Sequence, residues 1–382
     1  MRVFACLFAL CMFYSVEKIH AQTDSFLYDG IMRNYNVHVP PGFSDSDTLP
    51  MVFNLHGLLM NATSQEAYSE FSPIADREKF IVVYPNGISN SWNAFNVPYH
   101  GGVDDVGFLS ALIDTVHKYY HINLNRVYST GMSNGGFMSY RLACELSERI
   151  AAIASVTGSM TDSMMYYCNP SHPVPVMRIH GTADLIVNFN GSGAITSAEG
   201  SNDYWIQQNN CPGNPMVLVL PNNSITDNCT AEWNGWTPCD SESEVIFYKV
   251  TAGGHTWPGA SDMFGGIAGA TNQDFDASEA IWQFFNRYDL QGKRNPVSTH
   301  EIEYKPEISF YPNPANDFLT VEINNTETKN ILLTDMAGKS IVESMNLQEN
   351  RIILPLKNIP RGMYLLVCEG SGMKIVKKIL LQ

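Results

Sequence analysis

The sequence is short of positive charge. Its 382 residues hold 23 Lys and Arg against 38 Asp and Glu, a formal charge of −15. Nucleic acid is therefore not an expected partner, since nothing here would neutralise a run of phosphates. No C-x-x-C pair occurs among the eight cysteines, so the common zinc spacing is absent. Beyond residue 21 no apolar run is long enough to span a bilayer, and neither a repeat nor a low-complexity segment breaks the chain. The apolar share is an ordinary 45 %, enough for a sizeable core, and the length suits one large domain and one small one.

The first 21 residues have the order of a signal peptide: Arg2, the apolar stretch "VFACLFALCMFY", and a small residue, Ala21, at the cut. The mature chain is expected to be exported, with no membrane span. Six cysteines remain in an oxidising compartment, where disulfides form. Cys144 falls on a predicted helix and Cys168 just before a predicted strand. These can be neighbours in a doubly wound sheet, so a Cys144–Cys168 bridge is predicted. Cys211 and Cys239 bracket an insert read as irregular, and a bridge between them would close it. Cys229 is then free, or pairs with Cys239 in place of Cys211.

Strand-like and helical stretches alternate up to about residue 290. "RNYNVHVP" alternates apolar and polar residues. "PMVFNLHG", "KFIVVYPNG", "RVYST", "IAAIASVTG", "PVPVMRIHG" and "SEVIFYKVTAGGH" are short buried-strand patterns. "DDVGFLSALIDTVHKYY", "GGFMSYRLACELSE" and "DFDASEAIWQFFNRY" have helical spacing. This order predicts an α/β fold, a mainly parallel sheet with helices on both faces. Residues 291–306 are polar and read as a linker. From 307 to 382, short strand patterns separated by turns predict a small all-β sandwich.

At the end of "RVYST", Gly131-Met132-Ser133-Asn134-Gly135 fits G-x-S-x-G, a sharp strand-to-helix turn that lifts a serine hydroxyl out of a sheet. A serine is a weak nucleophile until a base takes its proton, and the base needs an acid to orient it. Downstream, "IHGTAD" sets Asp184 beyond one strand and "AGGHTWPG" sets His255 beyond another. All three candidates follow the carboxyl ends of parallel strands, where open α/β sheets bind ligands. A tetrahedral intermediate also needs two N–H donors. The candidates are the backbone N–H groups of Asn134 and of Leu58, in the loop after "VFNLHG". His56 is expected to brace that loop at the edge of the cleft rather than do acid–base work. Trp257 is expected to line the cleft and stack on an aromatic or sugar ring. Trp92 is a second cleft candidate, compatible also with a place in the core. His117 and His121, four apart at a helix end, lack a third ligand and read as a solvated helix end.

Together "TGMSNGGF", "IHGTAD", "GGHTWPG", "LHG" and "DDVGF" resemble the secreted polyhydroxybutyrate depolymerase and feruloyl esterase family, related to carbohydrate esterase family one, over about residues 30 to 290. The resemblance implies an α/β-hydrolase domain (22–290) with no metal or organic cofactor. Ser133 would be nucleophile, Asp184 acid and His255 base. Implied substrates are feruloyl or acetyl esters of plant polysaccharide, or a polyester. A surface-binding protein on a catalytically dead hydrolase fold is the reading from another class, and the intact Ser, Asp and His set argues against it. The chain departs from the family at "HGLLMN", where members often carry an "HGCG"-like stretch; Leu58, Leu59 and Met60 are expected to narrow the acyl side. In the tail, "FYPNPANDFLTV", "LTDMAGKSI", "IPRGMYLLV" and "KIVKKILL" resemble the C-terminal sorting domain of the type IX secretion system. That implies export and a partner in the secretion machinery.

Overall fold

The computed structural model describes residues 22–44, 46–95, 102–294, 307–311, 314–324, 330–335, 339–345, 351–357, 359–370 and 373–382. The expected signal segment 1–21 and the part of the linker from 295 to 306 lie outside the described residues. The chain divides between Asn295 and Pro296 into two compact units.

The first unit is built on one ten-stranded sheet. Its strands are β1 (Gln22–Tyr28), β2 (Ile31–His38), β3 (Met51–Leu55), β4 (Ile81–Pro85), β5 (Val127–Met132), β6 (Ala152–Val156), β7 (Val176–Gly181), β8 (Met216–Val219), β9 (Thr230–Trp236) and β10 (Val245–Thr251). They lie in the order β1-β2-β4-β3-β5-β6-β7-β10-β9-β8. The six from β4 to β10 in that order are parallel. β1 and β2 at one edge, and β9 and β8 at the other, join through antiparallel pairings. A short hairpin, β11 (Tyr288–Asp289) with β12 (Gly292–Lys293), ends the unit.

Among the described residues seven α-helices cover the sheet: α1 (Ala62–Ser69), α2 (Phe71–Glu78), α3 (Asp105–Tyr120), α4 (Asn134–Glu145), α5 (Asp162–Tyr167), α6 (Ala198–Gln208) and α7 (Ala277–Phe285). Successive strand residues point to opposite faces, and this splits the interior in two. Met51, Phe53 and Leu55 join a core with Leu109 of α3, Met138 of α4, Met164 of α5 and Trp205 of α6. Val52, between them, joins another with Tyr68 of α1, Ile74 of α2 and Trp282 of α7. Strands buried on both faces read as continuous apolar runs, which is why "MVF" and "IVVY" are legible. α3 begins where Asp104 accepts the Gly107 N–H at 2.9 Å, and His121 ends it in the left-handed region.

The insert between Cys211 and Cys239 is not irregular, as its sequence suggests: it holds β8 and β9 and widens the sheet. The bridge Cys211–Cys239 closes it, and Cys144–Cys168 ties α4 to the segment before β7. Of the two options for Cys229, the structure has the free one: Cys229 is a buried thiol. Burial, then Asp227 and Asp274, push it up to about 11, so it stays protonated and unreactive.

The second unit holds two antiparallel sheets. β13 (Glu307–Tyr311), β14 (Phe318–Asn324) and β17 (Arg351–Pro355) form one; β16 (Ser340–Met345), β15 (Asn330–Thr334), β18 (Gly362–Gly370) and β19 (Met373–Leu381) form the other. Leu319, Val321 and Leu354 of the first meet Ile331, Leu333, Leu366 and Ile379 of the second in one core. This is the expected sandwich.

Each bridge closes a loop of 24 or 28 residues. The chain-entropy model gives such closures about 3–4 kcal/mol each, less any native strain. Replacing Cys144 and Cys168 together by Ala should lower the unfolding free energy by about that amount, read as a lower denaturant midpoint. A midpoint within experimental error of the parent would show that the bridge does not constrain the unfolded chain.

Candidate active site

Ser133 stands between β5 and α4 with φ 54° and ψ −118°, strained for a residue with a side chain. Two contacts hold it there. Its N–H donates to Val156 O at 2.8 Å, fastening the turn to β6. The first turn of α4 also lies almost on the end of β3: a Cβ built at Gly135 would meet Leu55 O at 2.2 Å. Only glycine permits that approach.

Asp184 follows β7 in a tight turn, where Oδ1 accepts the N–H groups of Ile186 and Val187, each at 2.9 Å. Oδ2 accepts from His255 Nδ1 at 2.8 Å, and both side chains are almost wholly buried. With Nδ1 donating, the Nε2 of neutral His255 is the lone-pair nitrogen. The strands β5, β6, β7 and β10 are adjacent, so Ser133, Asp184 and His255 share one sheet edge. The structure joins Asp184 to His255 by a hydrogen bond. It does not join Ser133 to His255 by one; such contacts often tighten only when substrate binds.

Two main-chain donors flank Ser133. A Cβ at Gly57 would lie 3.5 Å from Ser133 Cβ, so the loop after β3 passes beside the serine. In that loop Leu59 N–H donates to Asn90 O and Met60 N–H to Gly57 O, at 2.9 and 3.1 Å. Leu58 N–H has no partner among the described residues. Asn134 N–H, in the first turn of α4, is likewise unspent, at the positive end of the helix dipole. The Leu58 and Leu59 side chains are exposed.

Trp257 and Trp92, expected at the cleft, and His56, expected as a brace at its edge, are all buried. Trp257 is 1 % exposed. Its Nε1 donates to Ser278 Oγ at 3.0 Å and its N–H to Tyr68 Oη at 3.1 Å, which pins the His255 loop between α1 and α7. It packs the second core rather than stacking on a sugar. Trp92 is buried as well and donates from Nε1 to His56 O at 3.0 Å. His56 is fully buried: Nε2 accepts the Gly87 N–H at 3.0 Å and Nδ1 donates to Gly57 O at 2.8 Å. Burial lowers its pKa, so it braces the loop as a neutral ring. All three motif positions are conspicuous in sequence for reasons of packing.

Sequence reasoning missed other residues. The Asn134 side chain clasps the Trp92 backbone on both sides: Oδ1 accepts its N–H at 2.6 Å and Nδ2 donates to its O at 3.2 Å. Asp105, in the first turn of α3, accepts from Arg33 at 2.6 Å and from Asn93 N–H at 2.7 Å inside the fold. Behind Asp184 lie Arg178 and His180, both buried on β7. An arginine and a histidine two apart in a strand share one face, and that period was their only local signal.

A nucleophile-elbow serine, a buried Asp–His pair and two unspent N–H groups on one edge of a parallel sheet define an α/β-hydrolase. Residues 33–198 match the profile of the family described as Esterase PHB depolymerase, and residues 309–382 that of the Secretion system C-terminal sorting domain. The two matches fall in separate units of the fold, the first in the unit built on the ten-stranded sheet and the second in the unit with two antiparallel sheets. It is 27 % identical over 269 residues to a bifunctional acetylxylan esterase/xylanase of Neocallimastix patriciarum, a match covering 70 % of this chain and 35 % of that one. It is 26 % identical over 281 residues to feruloyl esterase D of Neurospora crassa, covering 70 % and 87 %. An acetyl xylan esterase from Aspergillus awamori aligns at 14 % identity with TM-score 0.49, over 69 % of this chain and 99 % of that one.

Burial, then the neighbouring Arg178, lower the His180 pKa from 6.5 to about 3. The folded state therefore leaves this imidazole neutral at a pH where the unfolded chain protonates it. Its contribution to stability is complete above about pH 6.5 and is lost as pH falls towards 3. Melting temperature should drop more steeply between about pH 6.5 and 4 in the parent than in His180→Gln. Equal slopes would mean that His180 takes up its proton in the fold.

Proposed function

We propose that the protein is a secreted serine carboxylesterase acting on hydroxycinnamoyl or acetyl esters of plant polysaccharide. Ser133 Oγ attacks the ester carbonyl carbon while His255 Nε2 takes its proton. Asp184 holds the ring in the tautomer that leaves Nε2 free, and its charge stabilises the imidazolium that forms. The oxyanion lies between the N–H groups of Asn134 and Leu58. The intermediate then collapses, His255 protonates the departing alcohol, and water, deprotonated by the same nitrogen, releases the acid from the serine.

The observation that carries this reading is the 2.8 Å Asp184–His255 hydrogen bond on the edge where Ser133 is held in a strained turn. The ester classes follow the names of the relatives, an acetylxylan esterase/xylanase and a feruloyl esterase. The family description also names polyester, and Leu58, Leu59, Leu185 and Ile186, exposed after β3 and β7, suit an apolar polymer. The tail would address the protein to the type IX secretion machinery.

Ser133→Ala should fold normally and lose about 10⁴-fold or more in kcat. Near-parental turnover of 4-nitrophenyl acetate would remove Ser133 from the mechanism. Methyl ferulate, acetylated xylan and polyhydroxybutyrate film separate the substrates: release of hydroxy acid from film alone would favour the polyester. The two units have separate cores, so a chain ending at residue 295 should keep its activity and, in the native host, stay in the periplasm. Normal secretion of that chain would refute a sorting role for the tail.

A further inference from the structure

The one charged residue described behind the proposed triad has no counter-ion in contact among the described residues. Arg178 is fully buried. Its guanidinium donates to Tyr140 Oη at 3.2 Å, to Ser159 Oγ at 3.4 Å and to His180 Nδ1 at 3.1 Å, and its Nε has no partner. None of these partners is negative. Charge in the interior is costly unless paired, and a methionine or leucine would fill the space without that cost. The nearest anion along the contacts is Asp184, one residue further: His180 Nε2 lies 3.4 Å from Asp184 Oδ2, the oxygen that also accepts from His255. The His180 ring thus stands between a buried cation and the carboxylate.

The ring's orientation follows from its neighbours. Arg178 can only donate, so Nδ1 of His180 must be the lone-pair nitrogen. The proton is then on Nε2, which donates to Val187 O at 2.8 Å and faces Asp184. Arg178 therefore fixes the tautomer that turns an N–H, and not a lone pair, towards the carboxylate. The charged and titratable groups facing His180 are Arg178, Asp184 and His255. Tyr140 of α4 faces Arg178, and Lys249 of β10, beside His180 in register, is paired outward with Glu199 of α6.

We propose that Arg178, acting through His180, is the buried counter-charge of the Asp184–His255 pair, a positioning residue of the reaction and not a packing residue. This rests on the reading of Ser133, Asp184 and His255 as the catalytic set. Removing the charge takes a repelling cation away from the imidazolium of His255, so the base is lost to protonation at a higher pH.

The test is the pH profile of kcat/KM for the full chain on 4-nitrophenyl acetate. Arg178→Met should move the acid limb up by roughly 0.5–1 pH unit, and Arg178→Lys, which keeps the charge, should move it back. A folded Arg178→Met enzyme whose limb coincides with the parent's overturns the proposal, because a packing defect lowers amplitude without moving the limb. Should Arg178→Met not fold, ¹⁵N shifts of His180 in the parent decide. A proton on Nε2 and none on Nδ1 from about pH 5 to 8 is expected; a proton on Nδ1, or titration within that range, overturns it. This readout needs no turnover, so an active Ser133→Ala variant would defeat the catalytic set separately.

Discussion

The approach of α4 to the end of β3 is the constraint on which the site depends. A helix that starts within van der Waals distance of Leu55 O can carry no side chain at 135. With that contact in place, Ser133 turns the chain from β5 into α4 in strained torsions, φ 54° and ψ −118°. Such a residue costs about 1–3 kcal/mol, and buried packing on both sides opposes its relaxation. The same contact draws the loop after β3 alongside the serine. Leu58 and Asn134 then come to flank one point with unspent N–H groups, so the donor pair is a by-product of a steric fit.

A polar lattice beneath the cleft keeps that loop and its neighbour in place. Asn93 is held at both ends, its N–H by Asp105 and its O by Arg141 of α4. Trp92, next to it, is clasped by Asn134 and hangs from His56 O. Arg33 of β2 closes the lattice on Asp105 at 2.6 Å and lies over the Phe108 ring. Every member but the half-buried Asn93 is buried, and removing one partner leaves another unsatisfied at a cost of about 1–3 kcal/mol. The network therefore fixes one arrangement of the 91–95 loop against the elbow, as satisfied buried networks do.

Much of this was legible in the sequence, and the limits have physical causes. Parallel strands buried on both faces show as apolar runs, and the helices of both faces show their period. The elbow and the two downstream strand ends placed Ser133, Asp184 and His255, because strand ends are visible locally. β8 and β9 were missed: "MVLV" is short, and its side chains are largely exposed at the sheet edge, so no alternation marks it. Trp257 was placed in the cleft because it lies near His255 in sequence. Its indole instead spans to Ser278, a partner 21 residues on that no local pattern reveals. Arg178 escaped for the same reason, since its meaning depends on a carboxylate seen through a second side chain.

Three histidines end up buried near the same edge, and local sequence does not separate them: "LHG", "IHG" and "GGH" all follow strands. What distinguishes them is the group at Nδ1. In His56 Nδ1 donates to a carbonyl while Nε2 accepts an N–H, so both nitrogens are consumed and the ring is a brace. In His180 Nδ1 faces a guanidinium, which forbids a proton there and, with burial, keeps the ring neutral. In His255 Nδ1 faces a carboxylate, which demands a proton there, while Nε2 has no partner among the described residues. One side chain thus serves as strut, as the proposed relay and as the proposed base. The choice is made by the neighbour that each strand end brings to one nitrogen, and only for His255 does that choice leave the other nitrogen available to a substrate.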